Sequence, residues 1–335
     1  MNEIIKPKHL KEGDKIGIVS PSSTIKNFPR RLDRGIKALK DLGLEVVLGK
    51  NAKNSQGHNA GTSEERAEDI NNFFRDKEIK AIICSTGGWN ANAVLPLLDY
   101  KLIKNNPKIF CGFSDITALN LAIHKKTGLV TFNGPTVLPT FGEFEKPFNY
   151  SVQWFKKNLF QNSPIGKIDN PEKFTEEILW WEKEDDRKRK TIPATLPKFL
   201  TIGFGEGKLI GGNLITLCIL GGTEYMPDFD DAILFLEEEG ESTSSVERRL
   251  FYLEQLGILQ KIKGILFARP SNFTTDSEYR TLYDILNEFG NKYKIPVIAD
   301  LDFGHTDPMM TLPIGIKVRI DSQKREIEIL ESATI

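Results

Sequence analysis

Gly112-Phe113-Ser114-Asp115 puts a serine where a buried apolar run, residues 108–112, turns abruptly into a helix expected over 116–126. A serine in that position is thrust out at the carboxyl end of the strand, beside the free N–H groups of the helix N-terminus. The chemistry such a site serves is acyl transfer, with the hydroxyl as nucleophile and the N–H groups meeting an oxyanion. The hydrolase pattern G-x-S-x-G is not met, because Ile116 stands at its last position. A helix cap is the competing role for Ser114, and local context leaves both readings open.

A serine nucleophile needs a base, and the chain has four histidines. His9 lies in an irregular N-terminal segment and His58 in a polar loop. His124 is on the same expected helix as Ser114, ~15 Å further along its axis, and so out of direct reach. His305 lies in the turn-rich Asp302-Phe303-Gly304-His305-Thr306-Asp307-Pro308, after an apolar strand expected over 296–299. It reads as a candidate base or an ordinary loop histidine. A metal site with Asp302 and Asp307 is the poorer reading, since no second histidine is near, and no metal or organic cofactor is expected.

The third group must be a carboxylate that orients the imidazole. The strand expected from residue 233 runs into Glu237-Glu238-Glu239, which is either that carboxylate or a solvated charge run. Gly87-Gly88 ends another buried strand, where it permits a tight turn or a close backbone approach to the nucleophile. Gly211-Gly212-Asn213 invites a phosphate-loop reading, but neither G-x-G-x-x-G nor G-x-x-x-x-G-K-[ST] occurs.

These residues need a scaffold. Apolar runs at 15–20, 44–49, 79–85, 108–112 and 129–132 alternate with helical patterns, which predicts a parallel α/β domain over residues 1–155. Thr62-Ser63-Glu64-Glu65 fits a capping box opening one of those helices. Residues 156–198, with four prolines, the run Glu182 to Lys190 and the pair Trp180-Trp181, read as a linker that forms a surface excursion. Residues 199–335 then read as a mixed α/β domain. Strands are expected at 233–238, 264–269, 296–299, 316–320 and 326–330, and helices at 245–256 and 277–289. A second capping box is expected at Ser244–Glu247.

With a formal net charge of -1, the chain offers no clustered basic excess for nucleic acid or an anionic membrane. No apolar stretch reaches the length of a membrane span. Cys84, Cys111 and Cys218 sit singly in apolar runs, as buried hydrophobes do. A cytoplasmic protein is expected.

Several segments together resemble the LD-carboxypeptidase family of serine peptidases. They are IGIVSPSS, STGGWNANAVLPLLDY, IFCGFSDITALNLAI, GKLIGGNLITL, AILFLEEE, ERRLFYLEQLG and DLDFGHTDPMMTLPIG. The resemblance covers nearly the whole chain and is weakest over residues 140–200. It implies a two-domain fold with the site in the interdomain cleft. It implies Ser114 as nucleophile, Glu237 as the orienting carboxylate, His305 as base, and N–H groups of Asp115 and Gly88 as the oxyanion hole. The Gly87-Gly88-Trp89-Asn90 stretch and the Trp pair are closest to the MccF-like branch, whose immunity protein cleaves a peptidyl-nucleotide amide. Gly87, Trp89, Asn90, Trp180 and Trp181 are therefore the expected substrate-binding residues, although the Trp pair could equally pack on the domain. The murein tetrapeptide carboxypeptidases are the alternative branch, and a non-catalytic ligand-binding protein a more distant alternative. The resemblance also implies a homodimer.

Overall fold

The computed structural model describes residues 3–335 and has two main sheets, each flanked by helices. The first has the order Leu312–Ile314, Thr131–Asn133, Ile109–Gly112, Ile79–Cys84, Lys15–Val19, Glu45–Leu48. Every pairing is parallel except that of Leu312–Ile314. Ile109–Gly112 is buried throughout and Ile79–Cys84 at all but Lys80, the signature of strands covered on both faces. Each fully buried Ile, Leu or Phe here contributes about 1.5–3 kcal/mol over leaving it exposed.

Helix starts follow local chemistry. The Thr62 hydroxyl accepts from Glu65 N while the Glu65 carboxylate accepts from Thr62 N, which is the expected capping box opening Ser63–Arg75. The second expected box does not form. Helix Thr243–Gln255 is capped by Ser242, and Glu247 is drawn instead to Arg280. The helix expected from residue 277 runs from Leu282 to Tyr293, capped by Thr281 with Asp284.

The second sheet has the order Gly166–Lys167, Glu326–Ile329, Lys317–Asp321, Phe204–Asn213, Ile233–Glu237, Gly264–Ala268, Val297–Leu301, Lys198–Thr201. Its four central strands from Phe204–Asn213 to Val297–Leu301 are parallel, with antiparallel strands on both sides. The fold is thus a two-domain α/β architecture, one sheet parallel-dominated and the other mixed.

Two features knit the domains together. After the His305 loop the chain returns to the first sheet, where Leu312–Ile314 pairs with Thr131–Asn133. Thr117, on the helix behind Ser114, accepts from Asn213 N at 3.0 Å at the end of a second-sheet strand. Residues 156–198 begin inside helix Asn149–Leu159 and carry a small hairpin, Lys173–Phe174 with Ile192–Pro193. Arg31 bridges Glu143 and Asp185, and Arg189 bridges Glu143 and Asp307 at 2.7 Å each. Thr175 and Asp307 exchange backbone hydrogen bonds. The excursion is therefore clamped to the loop that carries His305. Breaking such a mostly buried pair costs more than its net contribution to stability, because a carboxylate is left without its partner. Among the described residues no helix is long and apolar enough to cross a membrane.

Candidate active site

Strand Ile109–Gly112 ends at Phe113, and Ser114 follows with φ 64°. A non-glycine residue in this left-handed region is strained, and such strain is held only where the surroundings over-determine it. The turn lifts Ser114 Oγ off the strand end, and its hydrogen bond goes to His305 rather than to the helix. The helical segment beginning at Ser114 shows no side-chain cap, and neither does helix Thr117–Thr127 behind it. The capping role left open by local context is therefore not the one the hydroxyl plays.

His305 Nε2 lies 3.1 Å from Ser114 Oγ, and His305 Nδ1 lies 2.6 Å from Glu237 Oε2. Glu237 ends its strand fully buried, with Oε1 lacking any hydrogen-bond partner. Its carboxylate is therefore free to serve the imidazole alone. The Phe113 ring packs edge-on to the imidazole at 5.1 Å. Burial opposes a charge on His305. The Glu237 carboxylate and its hydrogen bond, with Glu239 and Glu238 behind them, outweigh burial and push the imidazole up to about 9. Glu238 is also fully buried; burial first and the Glu237 charge second push its acid up to about 8.

Asp302 and Asp307 are engaged elsewhere. Asp302 pairs with Arg269 at 3.2 Å and Asp307 with Arg189. Among the described residues no cluster of three His, Cys, Asp or Glu side chains could hold a metal ion.

Asp115 does more than follow the serine. Its buried carboxylate accepts from Ser22 Oγ at 2.5 Å and from Ala91 N at 2.8 Å. Burial raises its proton affinity against the opposing pull of those bonds and of Arg66. Arg66 in turn donates to Pro21 O and Asn90 O. The loops after strands Lys15–Val19 and Ile79–Cys84 are thereby tied to the serine turn. Sequence reading took from Asp115 only its N–H; the carboxylate's role had a signal, Pro21-Ser22-Ser23 at a strand end, but nothing to say what it met.

A methyl group at Gly87 would lie 2.8 Å from Ser114 Cβ, 3.0 Å from its Oγ and 3.4 Å from Asp115 N. Gly88, at φ 150°, instead abuts the hydroxyls of Ser22 and Ser23. Gly87 is thus a close approach to Ser114, and Gly88 to the Ser22-Ser23 turn, rather than the pair being merely a turn. Gly87→Ala is expected to displace Ser114 and lower kcat/KM roughly 10²-fold with a small change in melting temperature. Steady-state kinetics beside a melting curve checks this, and unchanged kinetics would refute it.

The remaining expected binding residues divide. Trp89 is 73% exposed, and the Asn90 amide donates to His58 Nε2 at 2.7 Å. Trp181 is committed to packing: it meets Phe28 edge-on at 5.2 Å and lies under the Arg31 guanidinium at 4.8 Å. Trp180, in irregular chain just before a turn rather than in a helix, is 67% exposed. Glu239, a candidate that the family resemblance passes over in favour of Glu237, has its Oε2 3.1 Å from His305 Nε2.

Comparison with known proteins agrees with this architecture. Residues 16–134 match the LD-carboxypeptidase N-terminal domain and residues 206–320 the C-terminal domain. The microcin C7 self-immunity protein MccF of Escherichia coli is 36% identical over 95% of this chain and 94% of its own. The murein tetrapeptide carboxypeptidase of Pseudomonas aeruginosa is 26% identical over 90% of this chain and 91% of its own. The solved structure of wild-type MccF without ligand superposes with a TM-score of 0.92 at 34% identity, covering 99% of this chain and 100% of that one. The chain belongs to the LD-carboxypeptidase family and is a serine-type hydrolase.

Proposed function

We propose that Ser114, His305 and Glu237 form a catalytic triad that hydrolyses the amide joining an aminoacyl or peptidyl group to a nucleotide-like leaving group. The observation that carries this reading is the continuous line Oγ–Nε2–Nδ1–Oε2, at 3.1 and 2.6 Å. His305 takes the Ser114 proton as Oγ attacks the carbonyl, while Glu237 holds the ring with Nδ1–H toward itself. The Asp115 and Gly88 N–H groups meet the developing oxyanion. His305 then protonates the leaving nitrogen, and water releases the acyl group from Ser114.

Two facts support the nucleotide. Solved structures of MccF hold aspartyl sulfamoyl adenosine and glutamyl sulfamoyl guanosine, and match this chain at TM-scores of 0.92. Trp180 leaves a large aromatic face unpacked, which is what stacking on a base requires; Trp181 has spent its face on Phe28 and Arg31. Trp89, Gly87 and Asn90 then line the acyl side. We place the enzyme in the cytoplasm and, as the family resemblance implies, as a homodimer.

The test is a paired assay on the full chain, aspartyl sulfamoyl adenosine beside a murein tetrapeptide ending in D-alanine. Release of aspartate from the first, with kcat/KM well above that for the tetrapeptide, is expected. Cleavage of the tetrapeptide alone would overturn the substrate assignment in favour of a murein carboxypeptidase, the activity named for the Pseudomonas relative.

A further inference from the structure

We propose that Glu239 is a latch on the catalytic histidine, holding the empty site in a form where His305 already carries its second proton and Ser114 cannot be activated until the carboxylate moves away. This rests on the triad reading above. The argument starts from geometry. His305 Nδ1 faces Glu237 at 2.6 Å, and its other nitrogen, Nε2, faces both Ser114 Oγ and Glu239 Oε2 at 3.1 Å. A neutral imidazole has one N–H, whereas the imidazolium has two. A ring flanked by a carboxylate at each nitrogen is stabilised as the imidazolium.

In that form Nε2–H donates to Ser114 Oγ and has no lone pair with which to take the serine proton. The groups facing His305 all point the same way. Glu237, Glu238 and Glu239 approach from the strand end, Ser114 and the Phe113 ring approach from the serine turn, and Asp307 on the histidine's own loop is neutralised by Arg189. No cation among them opposes the second proton.

Position adds a second constraint. The leaving nitrogen must come within about 3 Å of Nε2 to be protonated, and Glu239 Oε2 already stands at that distance. The Glu239 side chain is 46% exposed and lies where the strand gives way to a loop, whose backbone is pinned to Ser271 through Gly240 N. The side chain can therefore swing into solvent without disturbing the backbone. Glu237, fully buried, has no such freedom.

Glu239→Gln keeps the shape and removes the charge. Two readouts on the full-length protein test it. The first is the titration of the His305 Cε1 resonance in histidine-labelled protein, assigned by its loss in His305→Asn. Its midpoint is expected to fall by roughly one pH unit or more. The second is the rate at which a fluorophosphonate labels Ser114 at pH 7, expected to rise roughly tenfold, in step with the larger neutral fraction. An unmoved midpoint overturns the latch. Failure of the wild-type protein to label at any pH would overturn the triad instead, while the titration would still decide the role of Glu239.

Discussion

Replacing Ser114 by alanine lowers kcat/KM by about 10⁴-fold or more and leaves the melting temperature nearly where it was. Both halves follow from the turn. Alanine keeps Cβ, so it occupies the same left-handed position at φ 64° and with the same strain as serine. The hydroxyl caps no helix, and its hydrogen bond is to His305. Its loss therefore removes a nucleophile without orphaning a backbone donor, and the stability change stays within about 0.5 kcal/mol. What survives in the variant is binding and the proposed oxyanion donors, the N–H groups of Asp115 and Gly88, which on this reading sustain only a residual rate. Kinetics on the preferred substrate beside a thermal melt provides the check. Retention of a tenth of the activity would remove Ser114 from the reaction, and a melt lowered by many degrees would show that the hydroxyl is structural after all.

The first sheet was readable because its strands are buried on both faces, which forces unbroken apolar runs such as Ile79–Cys84. The second sheet was harder for physical reasons. Its longest strand, Phe204–Asn213, carries Glu206 and Lys208 on its outer half and four glycines, so neither alternation nor an apolar run marks it. Leu312–Ile314 is three residues with a proline in the middle, tolerated because it lies at the sheet edge. Its partner is far away in the chain, where no local pattern reaches. Helix starts failed where hydroxyls crowd together. Ser242, Thr243, Ser244 and Ser245 could each accept a helix N–H, and Ser242 does so while Arg280 takes the glutamate on which the expected box relied.

At the site, the serine turn and the histidine loop could be singled out from the chain, but family likeness was needed to choose among Glu237, Glu238 and Glu239. The structure shows why three adjacent glutamates carry no local signal. The strand end buries the first two and the loop releases the third, so one sequence run divides into an imidazole partner, a carboxyl without a hydrogen bond and an exposed arm. Asp115 is similar. Only the fold brings Ser22 and Ala91 to its carboxylate.

Glu237→Gln is expected to lower kcat by about 10⁴-fold while shifting whatever activity remains toward acid pH. The amide is isosteric, and the strand buries it as it buries the acid. What it lacks is charge, and its orientation is ambiguous. If the amide turns its NH₂ toward Nδ1, the ring takes the tautomer with Nε2–H, which cannot accept the Ser114 proton. If it turns its oxygen, the tautomer is right but the imidazolium that forms during attack has lost its counter-charge. The same charge governs the pH dependence of stability. His305 rises from an ordinary 6.5 to about 9 in the fold, so the folded state holds the proton more tightly than the unfolded chain. That contribution is fully present below pH 6.5 and is lost as pH rises through 9. Glu238, raised from 4.5 to about 8, likewise favours the fold most at low pH and gives up its share as pH rises through 8. Melting temperatures of the wild-type protein should therefore fall between pH 7 and 9, and in Glu237→Gln that alkaline decline should flatten as His305 returns toward its ordinary value. A variant with wild-type kcat, or with an alkaline decline in melting as steep as the wild type's, would show that Glu237 neither orients nor charges His305.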